Sequence, residues 1–188
     1  MQDVELNASQ TAVVLIDLQL GIMVYPTAPH TTASVLAVAS DLADRFRRKG
    51  AIIVYVRVDL ANLIQLPVDK SHRDPHAPPP PPTASEIVPE AGRQADDLLI
   101  TKRHWDAFGG TDLERVLCER GVRTIVLGGV ATHIGVESTA RSAASRGFEV
   151  VLAEDATTSI SADAHRYSTT HVFPLLGRVR SAVQVRPI

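Results

Sequence analysis

Residues 124–136 read TIVLGGVATHIGV and carry the strongest indication of the fold class. The run Thr124–Val130 is rich in β-branched residues and does not alternate between apolar and polar positions. Such a run is typical of a strand that is buried on both faces of a parallel sheet. Two glycines, Gly128 and Gly129, lead out of this strand, and a helical pattern begins at once. The stretch therefore predicts a strand that passes directly into a helix.

Other runs of the same kind predict further strands. They are Ala12–Ile16, Ala51–Val58 and Phe148–Ala153, with a weaker strand at Leu98–Thr101 and an edge strand at Val179–Val185. Helical patterns lie between these runs, so the chain alternates strand and helix. This alternation predicts an α/β fold with a mostly parallel sheet.

The helices have recognisable apolar stripes and end signals. In the first, the apolar positions recur at helical spacing: Val35, Val38, Leu42 and Phe46. Gly50 is predicted to end this helix, and Thr111 with Glu114 fits a capping box before the next one. We expect Thr132 to cap a helix that runs to 147, and Ser161 to cap one that ends near 174.

Composition limits the classes of protein to consider. The 188 residues suit one domain spanning 1–188, and 45% hydrophobic with 21% charged residues is ordinary for a folded chain. A net charge of −2 and 4% aromatic residues disfavour a nucleic-acid partner. No apolar run reaches the roughly 18 residues of a membrane span, and the first ten residues lack a signal-peptide pattern, so we expect a cytoplasmic protein. A single cysteine, Cys118, excludes an intrachain disulfide.

The segment 59–97 interrupts the α/β alternation. It is long for a connection within a compact domain and contains five consecutive prolines, Pro78–Pro82. Such a segment is either functional, for example as an oligomer contact, or an exposed insertion without consequence.

Polar residues at strand ends are the first candidates for function, because ligands of doubly wound sheets bind beyond the carboxyl ends of the strands. Asp17 directly follows one strand, where partial burial suits a general acid or base; its alternative role is to cap the next turn. Lys102 follows another strand and either meets Asp17 or points to solvent. Arg57 and Asp59 end a third strand and either bind an anionic substrate or pair with each other.

The glycine pair of residues 128–129 adds a third candidate feature. The helix start that follows it offers free N–H groups to an anion or oxyanion. The alternative is a tight turn whose glycines serve packing alone.

Three motifs in this order resemble the isochorismatase-like, or cysteine hydrolase, superfamily. They are VLIDLQ at 14–19, KRHWDAFGGTDL at 102–113 and GGVATHIGVESTARSA at 128–143. The resemblance implies a three-layer α/β/α sandwich with a doubly wound sheet, usually in a homo-oligomer. It also implies an active site of Asp17, Lys102 and the residue at 135, with a cis peptide between Val130 and Ala131.

Substrate-binding residues are also expected around these motifs. They are Gln19, Arg57, Trp105, Phe108, Ala131, Thr132 and His133. For Trp105 and Phe108, core packing is an equally good interpretation.

The chain departs from the cysteine hydrolases at the position of the nucleophile. Amidases of the superfamily have a cysteine where this chain has Gly135, and glycine cannot form an acyl-enzyme. Cys118 and Ser138 lie on predicted helices and are interpreted as structural. The D-x-H metal motif of nicotinamidases is replaced by Asp59-Leu60-Ala61, and no histidine spacing indicates a metal, so we expect neither a metal nor a cofactor.

Isochorismatases resemble this chain in having H-I-G where His133-Ile134-Gly135 stand, although they carry a tyrosine in place of Ala131. They cleave a vinyl ether without a covalent nucleophile. The resemblance therefore implies a hydrolase that uses Asp17 as acid or base, with Lys102 as its partner, on a small anionic substrate. The alternatives are a ligand-binding pseudoenzyme and an amidase with a different nucleophile.

Overall fold

The computed structural model describes residues 2–71 and 78–188, and its strands form two sheets. The main sheet has six parallel strands, in the spatial order β4 (Leu98–Lys102), β3 (Ile52–Val58), β2 (Thr11–Ile16), β5 (Thr124–Val130), β6 (Glu149–Thr158) and β7 (Arg178–Arg180). A small parallel sheet joins β1 (Val4–Leu6) to β8 (Val185–Pro187).

Helices cover both faces of the main sheet. They are α1 (Leu20–Met23), α2 (Thr32–Arg47), α3 (Leu113–Glu119), α4 (Glu137–Ser145), α5 (Ala162–Tyr167) and α6 (Phe173–Leu176). Helix α2 packs on one face, and α3, α4 and α6 contribute to the core on the other. The predicted α/β/α class with a mostly parallel sheet is confirmed.

The largest helix, α2, forms as its sequence pattern predicts. Thr31 caps it, because the Ser34 N–H donates to the Thr31 hydroxyl at 3.2 Å. Leu42 and Phe46 are fully buried against the sheet, which stabilises the fold by roughly 1.5–3 kcal/mol for each side chain. The helix itself ends at Arg47, and Gly50, at φ +82°, supplies the left-handed conformation in the turn that follows it.

Three local predictions are wrong in detail. The predicted edge strand Val179–Val185 is instead β7, a 3₁₀ turn at Ala182–Gln184, and β8. The turn separates them because the Ser181 N–H and hydroxyl both donate to the Gln184 side-chain oxygen, which closes a cap. This arrangement sends the last strand to the small sheet rather than to the main one.

The two other corrections concern helix caps. Thr111 accepts only from the Leu113 N–H, at 3.2 Å, and Glu114 pairs with Arg146 at 2.8 Å rather than completing a capping box. Thr132 does not cap α4, because its hydroxyl is hydrogen-bonded to a buried imidazole and a π-helical turn, Thr132–Val136, precedes the helix. Ser161, by contrast, caps α5 as predicted, accepting from the Ala164 N–H.

The strand order places a topological switch point between β2 and β5. From β2 the chain adds β3 and β4 on one side, and it then returns to add β5, β6 and β7 on the other. Connections leave the carboxyl ends of β2 and β5 in opposite directions, which opens a crevice there. Asp17 and the turn at 131–136 follow these two strands directly.

The described parts of segment 59–97 are partly packed onto the molecule. Val88 donates its N–H to the Leu18 carbonyl at 3.0 Å, and Leu20 donates to the Glu86 carbonyl at 2.9 Å. The segment therefore covers the chain that leaves the switch point. The histidines predicted not to form a metal pair, His72 and His76, lie outside the described residues.

Among the described residues, no helix combines the length and apolar character that a membrane crossing requires.

Candidate active site

Asp17 lies at the first residue beyond β2, in an unusual backbone conformation. Its N–H donates to the Val56 carbonyl at 2.8 Å, and its own carbonyl accepts from the Gln19 N–H at 2.8 Å. Its φ of +55° makes it the one non-glycine residue with positive φ in the described chain. Such a conformation costs about 1–3 kcal/mol and is concentrated at functional sites.

Lys102 reaches Asp17 from the end of β4. Its Nζ lies 2.9 Å from Asp17 Oδ2 and donates to the Trp105 carbonyl at 2.8 Å. The side chains of Lys102 and Asp17 are only 1% and 9% exposed, so the ion pair is buried. A buried pair repays its desolvation only in good geometry, which the second acceptor on Nζ improves.

The carboxylate of Asp17 has one uncommitted oxygen. Oδ1 is buried and has no hydrogen-bond partner among the described residues. Burial raises the pKa of the Asp17 carboxyl group above its ordinary value, and the Lys102 ammonium offsets part of that rise. A carboxyl group in this state suits proton donation to a bound molecule.

Gly135 lies directly against this ion pair. A Cβ atom built on Gly135 would lie 3.0 Å from Lys102 Nζ, 3.2 Å from Asp17 Oδ2 and 3.1 Å from Ile16 Cγ2. These separations are tighter than ordinary contacts of a Cβ atom. The structure therefore brings together the three predicted catalytic positions.

Gly129, near the end of β5, lets this strand lie close against the end of β2, just before Asp17. The pairing of β5 with β6 shifts register between Leu127 and Gly129, and Gly129 has φ +113°. A Cβ at Gly129 would lie 2.1 Å from the Ile16 carbonyl oxygen, so only glycine fits there. The next peptide, Val130–Ala131, is cis, as the family resemblance implies.

Two of the predicted substrate-binding residues have structural contacts instead. Gln19 is fully buried and uses both amide N–H groups on main-chain carbonyls, those of Val58 at 3.0 Å and Ala84 at 3.3 Å. Phe108 is 4% exposed and stacks on Phe148, with ring centroids 5.9 Å apart. Gln19 therefore anchors backbone, and Phe108 belongs to the core.

Trp105 and Arg57 are placed differently from each other. Trp105 is half exposed next to Lys102, and its carbonyl oxygen holds the Lys102 ammonium. Arg57 donates to the Thr101 hydroxyl at 3.0 Å and to the Ser85 carbonyl at 3.5 Å. Arg57 lies two residues after Tyr55 in β3 and therefore on the same face of the sheet. Lys102 lies two residues after Ile100 in β4 and therefore on the opposite face.

Asp59 pairs neither with Arg57 nor with a metal-ligand set. Its carboxylate accepts from the Asn62 backbone and side chain, at 3.2 and 3.0 Å. Ala61 occupies the place where the D-x-H motif has its histidine. These residues do not fit the metal position of the nicotinamidases.

The first residues of the turn also make defined contacts. Thr132 is fully buried, with its hydroxyl 2.8 Å from His165 Nδ1, so its side chain faces away from a ligand. His133 Nδ1 lies 2.6 Å from the Ser159 hydroxyl. The sequence did not predict the role of the Trp105 carbonyl, which accepts from Lys102. Every residue has a main-chain carbonyl, so the residue type gives no indication of such a contact.

The fold and this site define a class of protein: an α/β protein with a buried carboxylate–lysine pair at the switch point of its sheet. Comparisons with known proteins identify the family within that class. The model of the isochorismatase domain matches residues 11–184. The chain is therefore a member of the isochorismatase family of hydrolases.

Relatives of full length agree with this assignment. The chain is 43% identical over 193 residues to the uncharacterised isochorismatase family protein YecD of Escherichia coli O157:H7, covering 96% of this chain and 97% of that protein. The structure of an isochorismatase family protein from Burkholderia thailandensis matches with a TM-score of 0.89 at 39% identity, covering 98% and 97% of the two chains.

A shorter match involves a named enzyme component. Enterobactin synthase component B of Escherichia coli K12 is 31% identical over 106 residues, which cover 56% of this chain and 37% of that protein.

Proposed function

We propose that this protein hydrolyses a small anionic substrate by acid–base catalysis at Asp17, without a covalent cysteine intermediate. One observation carries the proposal: position 135 faces the ion pair and bears no side chain. The Cβ of a residue there would lie 3.2 Å from Asp17 Oδ2, which is where a nucleophile next to this acid would stand. Gly135 leaves that space to substrate or water.

Asp17 acts as the general acid. Its buried carboxyl group, with a pKa raised by desolvation, holds a proton more readily than an exposed aspartate does. The unpartnered Oδ1 is the oxygen available to give that proton to a ligand. The proposed substrate class is a vinyl ether, which is protonated on carbon to give an oxocarbenium ion. Water then adds to this ion, and the hemiketal breaks into a ketone and an alcohol.

In this mechanism Lys102 binds an anionic group of the substrate and orients the Asp17 carboxyl group. An ammonium group has three N–H donors, and the Asp17 and Trp105 contacts use two of them. The third N–H is available for an anionic group of the substrate. The N–H groups at the start of the turn, from Ala131 to His133, add a second attraction for negative charge. The exposed Trp105 ring supplies an apolar wall beside Lys102.

The other two hypotheses differ in what they require of the site. A ligand-binding pseudoenzyme has no use for an acid, yet the chain buries a costly charged pair. An amidase requires a nucleophile, and Cys118, the one cysteine, is exposed on α3. Acid–base hydrolysis uses the groups that the site holds.

The test is a panel of vinyl ethers and small amides assayed with matched variants. Asp17→Asn keeps the shape of the side chain but removes the acid, so kcat/KM should fall by about 10²–10⁴-fold. Asp59→Asn, in an exposed carboxylate outside the pair, is the control and should leave the rate unchanged. Cys118→Ser and alkylation of Cys118 should also leave it unchanged.

Activity that survives Asp17→Asn and disappears on alkylation of Cys118 would overturn the mechanism. Ligand binding without turnover of either substrate class would favour the pseudoenzyme. Because the acid must carry its proton, kcat/KM should decrease as the pH rises through the raised pKa of Asp17.

A further inference from the structure

Three potential metal ligands that do not belong to the Asp17–Lys102 pair form a cluster. His30, Glu154 and His165 each offer one ligand atom, and these atoms lie within 4.8 Å of one another. Both imidazoles are hydrogen-bonded to the same carboxylate oxygen. His30 Nε2 lies 2.9 Å from Glu154 Oε1, and His165 Nε2 lies 2.8 Å from it. The rings meet edge to face, with centroids 5.6 Å apart. Two imidazole nitrogens and one carboxylate oxygen therefore lie close together.

We propose that His30, Glu154 and His165 bind a divalent transition-metal ion of the zinc type. Two imidazoles with one carboxylate are a ligand set that zinc and its neighbours take in proteins, with a water completing the coordination. The site is separate from the carboxylate–lysine pair, and the proposal stands whatever substrate that pair acts on.

Two of the three ligand separations need only a small adjustment to hold the ion, and the third, between the two histidine nitrogens, is at most 4.8 Å. Tetrahedral zinc has ligands at about 2.0–2.2 Å, which places neighbouring ligand atoms about 3.3 Å apart. The present N···O separations of 2.8 and 2.9 Å would have to open by roughly 0.4 Å. The side chains of His30 and Glu154 are 29% and 32% exposed, so they have room to move and solvent can reach the ion.

Surrounding contacts already hold the ligands in orientation. His165 is buried, and its Nδ1 lies 2.8 Å from the Thr132 hydroxyl. When Nε2 binds a metal, the proton of a neutral imidazole resides on Nδ1, where it donates to that hydroxyl. On the other side, the Thr158 hydroxyl donates to the His30 carbonyl at 2.7 Å, which fixes the backbone of His30.

The location gives the ion a structural consequence. Thr132 is the neighbour of Ala131 in the turn that approaches Asp17, and His165 lies on α5. His30 follows Ala28, which forms an isolated bridge with Ser159. An ion at this point ties the start of α2, the end of β6, α5 and the active-site turn together. We therefore expect metal binding to raise the melting temperature.

The experiment uses the full-length protein without an affinity tag, stripped with a chelator and titrated with Co²⁺ and Zn²⁺. Co²⁺ should give a visible d–d absorption that saturates at one ion per chain and is displaced by Zn²⁺. Zn²⁺ should raise the melting temperature. His30→Asn and Glu154→Gln replace partly exposed ligands with side chains of similar shape, and each should weaken binding by more than about 100-fold, since loss of an outer partner alone costs about 10–100-fold. Thr132→Val removes such an outer partner, so it should weaken metal binding by about 10–100-fold.

Matched controls separate this site from other histidines and carboxylates. His171→Asn and Glu149→Gln change exposed residues outside the cluster and should bind Co²⁺ as the unaltered protein does. A double variant, His72→Asn with His76→Asn, removes the i, i+4 pair of the Pro-rich segment and should also bind normally. Circular dichroism of each metal-free variant checks that it folds.

The proposal is overturned if millimolar Co²⁺ with the folded protein gives no d–d band beyond the weak band of the hydrated ion. It is equally overturned if the band persists unchanged in His30→Asn and Glu154→Gln, or if it vanishes in the His72/His76 double variant. A band lost only in the cluster variants, while those variants stay folded, supports it.

Discussion

Gly135 controls the space around the Asp17 carboxylate. A Cβ at this position would lie 3.0 Å from Lys102 Nζ, so the ammonium group would have to shift by a few tenths of an ångström to accept one. Movement of the Lys102 side chain is restricted, because it is 1% exposed and its ammonium group donates to the Trp105 carbonyl. The buried ion pair and the glycine at position 135 therefore form one arrangement.

This arrangement predicts the effect of Gly135→Ala. Because overpacking a buried site typically costs about 1–3 kcal/mol, we expect a loss of that size in urea unfolding. The displaced ammonium should also lower kcat/KM by at least tenfold. Gly109→Ala is the control, since its Cβ would meet only Asp106 Oδ2 at 3.4 Å. Unchanged activity and stability in Gly135→Ala would show that the pair does not need this space.

At the scale of elements, Gln19 joins the end of β3 to the Pro-rich segment. Its side-chain oxygen accepts from the Val58 N–H at 2.8 Å, and its amide group donates to the carbonyls of Val58 and Ala84. One buried side chain thus supports a strand end and the 3₁₀ turn Pro82–Ser85. Gln19 therefore ties these two segments to the chain that follows Asp17.

Gln19→Met should therefore destabilise the protein. It leaves buried main-chain groups without partners, each at a cost of about 1–3 kcal/mol, so the free energy of unfolding should fall by at least about 2 kcal/mol. Gln94→Met, at an exposed position, is the control and should change stability little. A Gln19→Met protein as stable as the control would mean that water replaces these hydrogen bonds.

Tyr55 makes a second link between a strand and this segment. Its hydroxyl donates to the Ala91 carbonyl at 2.6 Å, and the side chain is fully buried. Burial, with a further contribution from the Asp97 charge, raises the pKa of Tyr55 to about 12 from 10.0. The neutral phenol is thus the form that the folded state accommodates.

A spectrophotometric titration tests this link. The phenol of Tyr55 should ionise only as the pH approaches 12, in a late step of the titration. Since the folded pKa is the raised one, stability due to Tyr55 is complete below pH 10 and is lost as the pH rises towards 12. Tyr55→Phe should abolish the late step and flatten this loss. A titration curve that keeps the same late step in Tyr55→Phe would contradict the prediction.

At the scale of the whole molecule, large apolar side chains remain on the surface. The most exposed among the described residues include Leu175 at 86%, Val24 at 73% and Val183 at 69%. Together with the family resemblance, they lead us to expect a homo-oligomer. Sedimentation velocity at micromolar concentration should show a species larger than the 20.3 kDa chain. A single species at the mass of one chain would refute this.

Several features of the fold could be predicted from short stretches of sequence. The buried parallel strands were predictable because unbroken β-branched runs such as Thr124–Val130 suit a sheet covered on both faces. The Ser161 cap was predictable because it depends on local backbone geometry, as does the left-handed Gly50, which lies in the turn after α2 rather than at its end. The positions of Asp17 and Lys102 at strand ends followed from the same patterns, and the family motifs added Gly135.

Other features depend on partners that are distant in sequence. Gln19 and Thr132 were expected to face a ligand, but the carbonyl of Ala84 and the imidazole of His165 engage them in the fold. A local pattern cannot show which of two polar groups will meet when their separation along the chain is tens of residues.

By itself, then, the sequence determined the class of fold, the candidate acid and its lysine, and the absence of a thiol at residue 135, because these depend on residue type and local pattern. Only the tertiary structure decided that Lys102, at the end of β4, meets Asp17 although β3 lies between β4 and β2 in the sheet, and that the Trp105 carbonyl holds it. It also decided that His30, Glu154 and His165 converge from three separate elements. These contacts arise when packing of the sheet and helices brings distant segments together, because most polar groups that become buried must then find a partner.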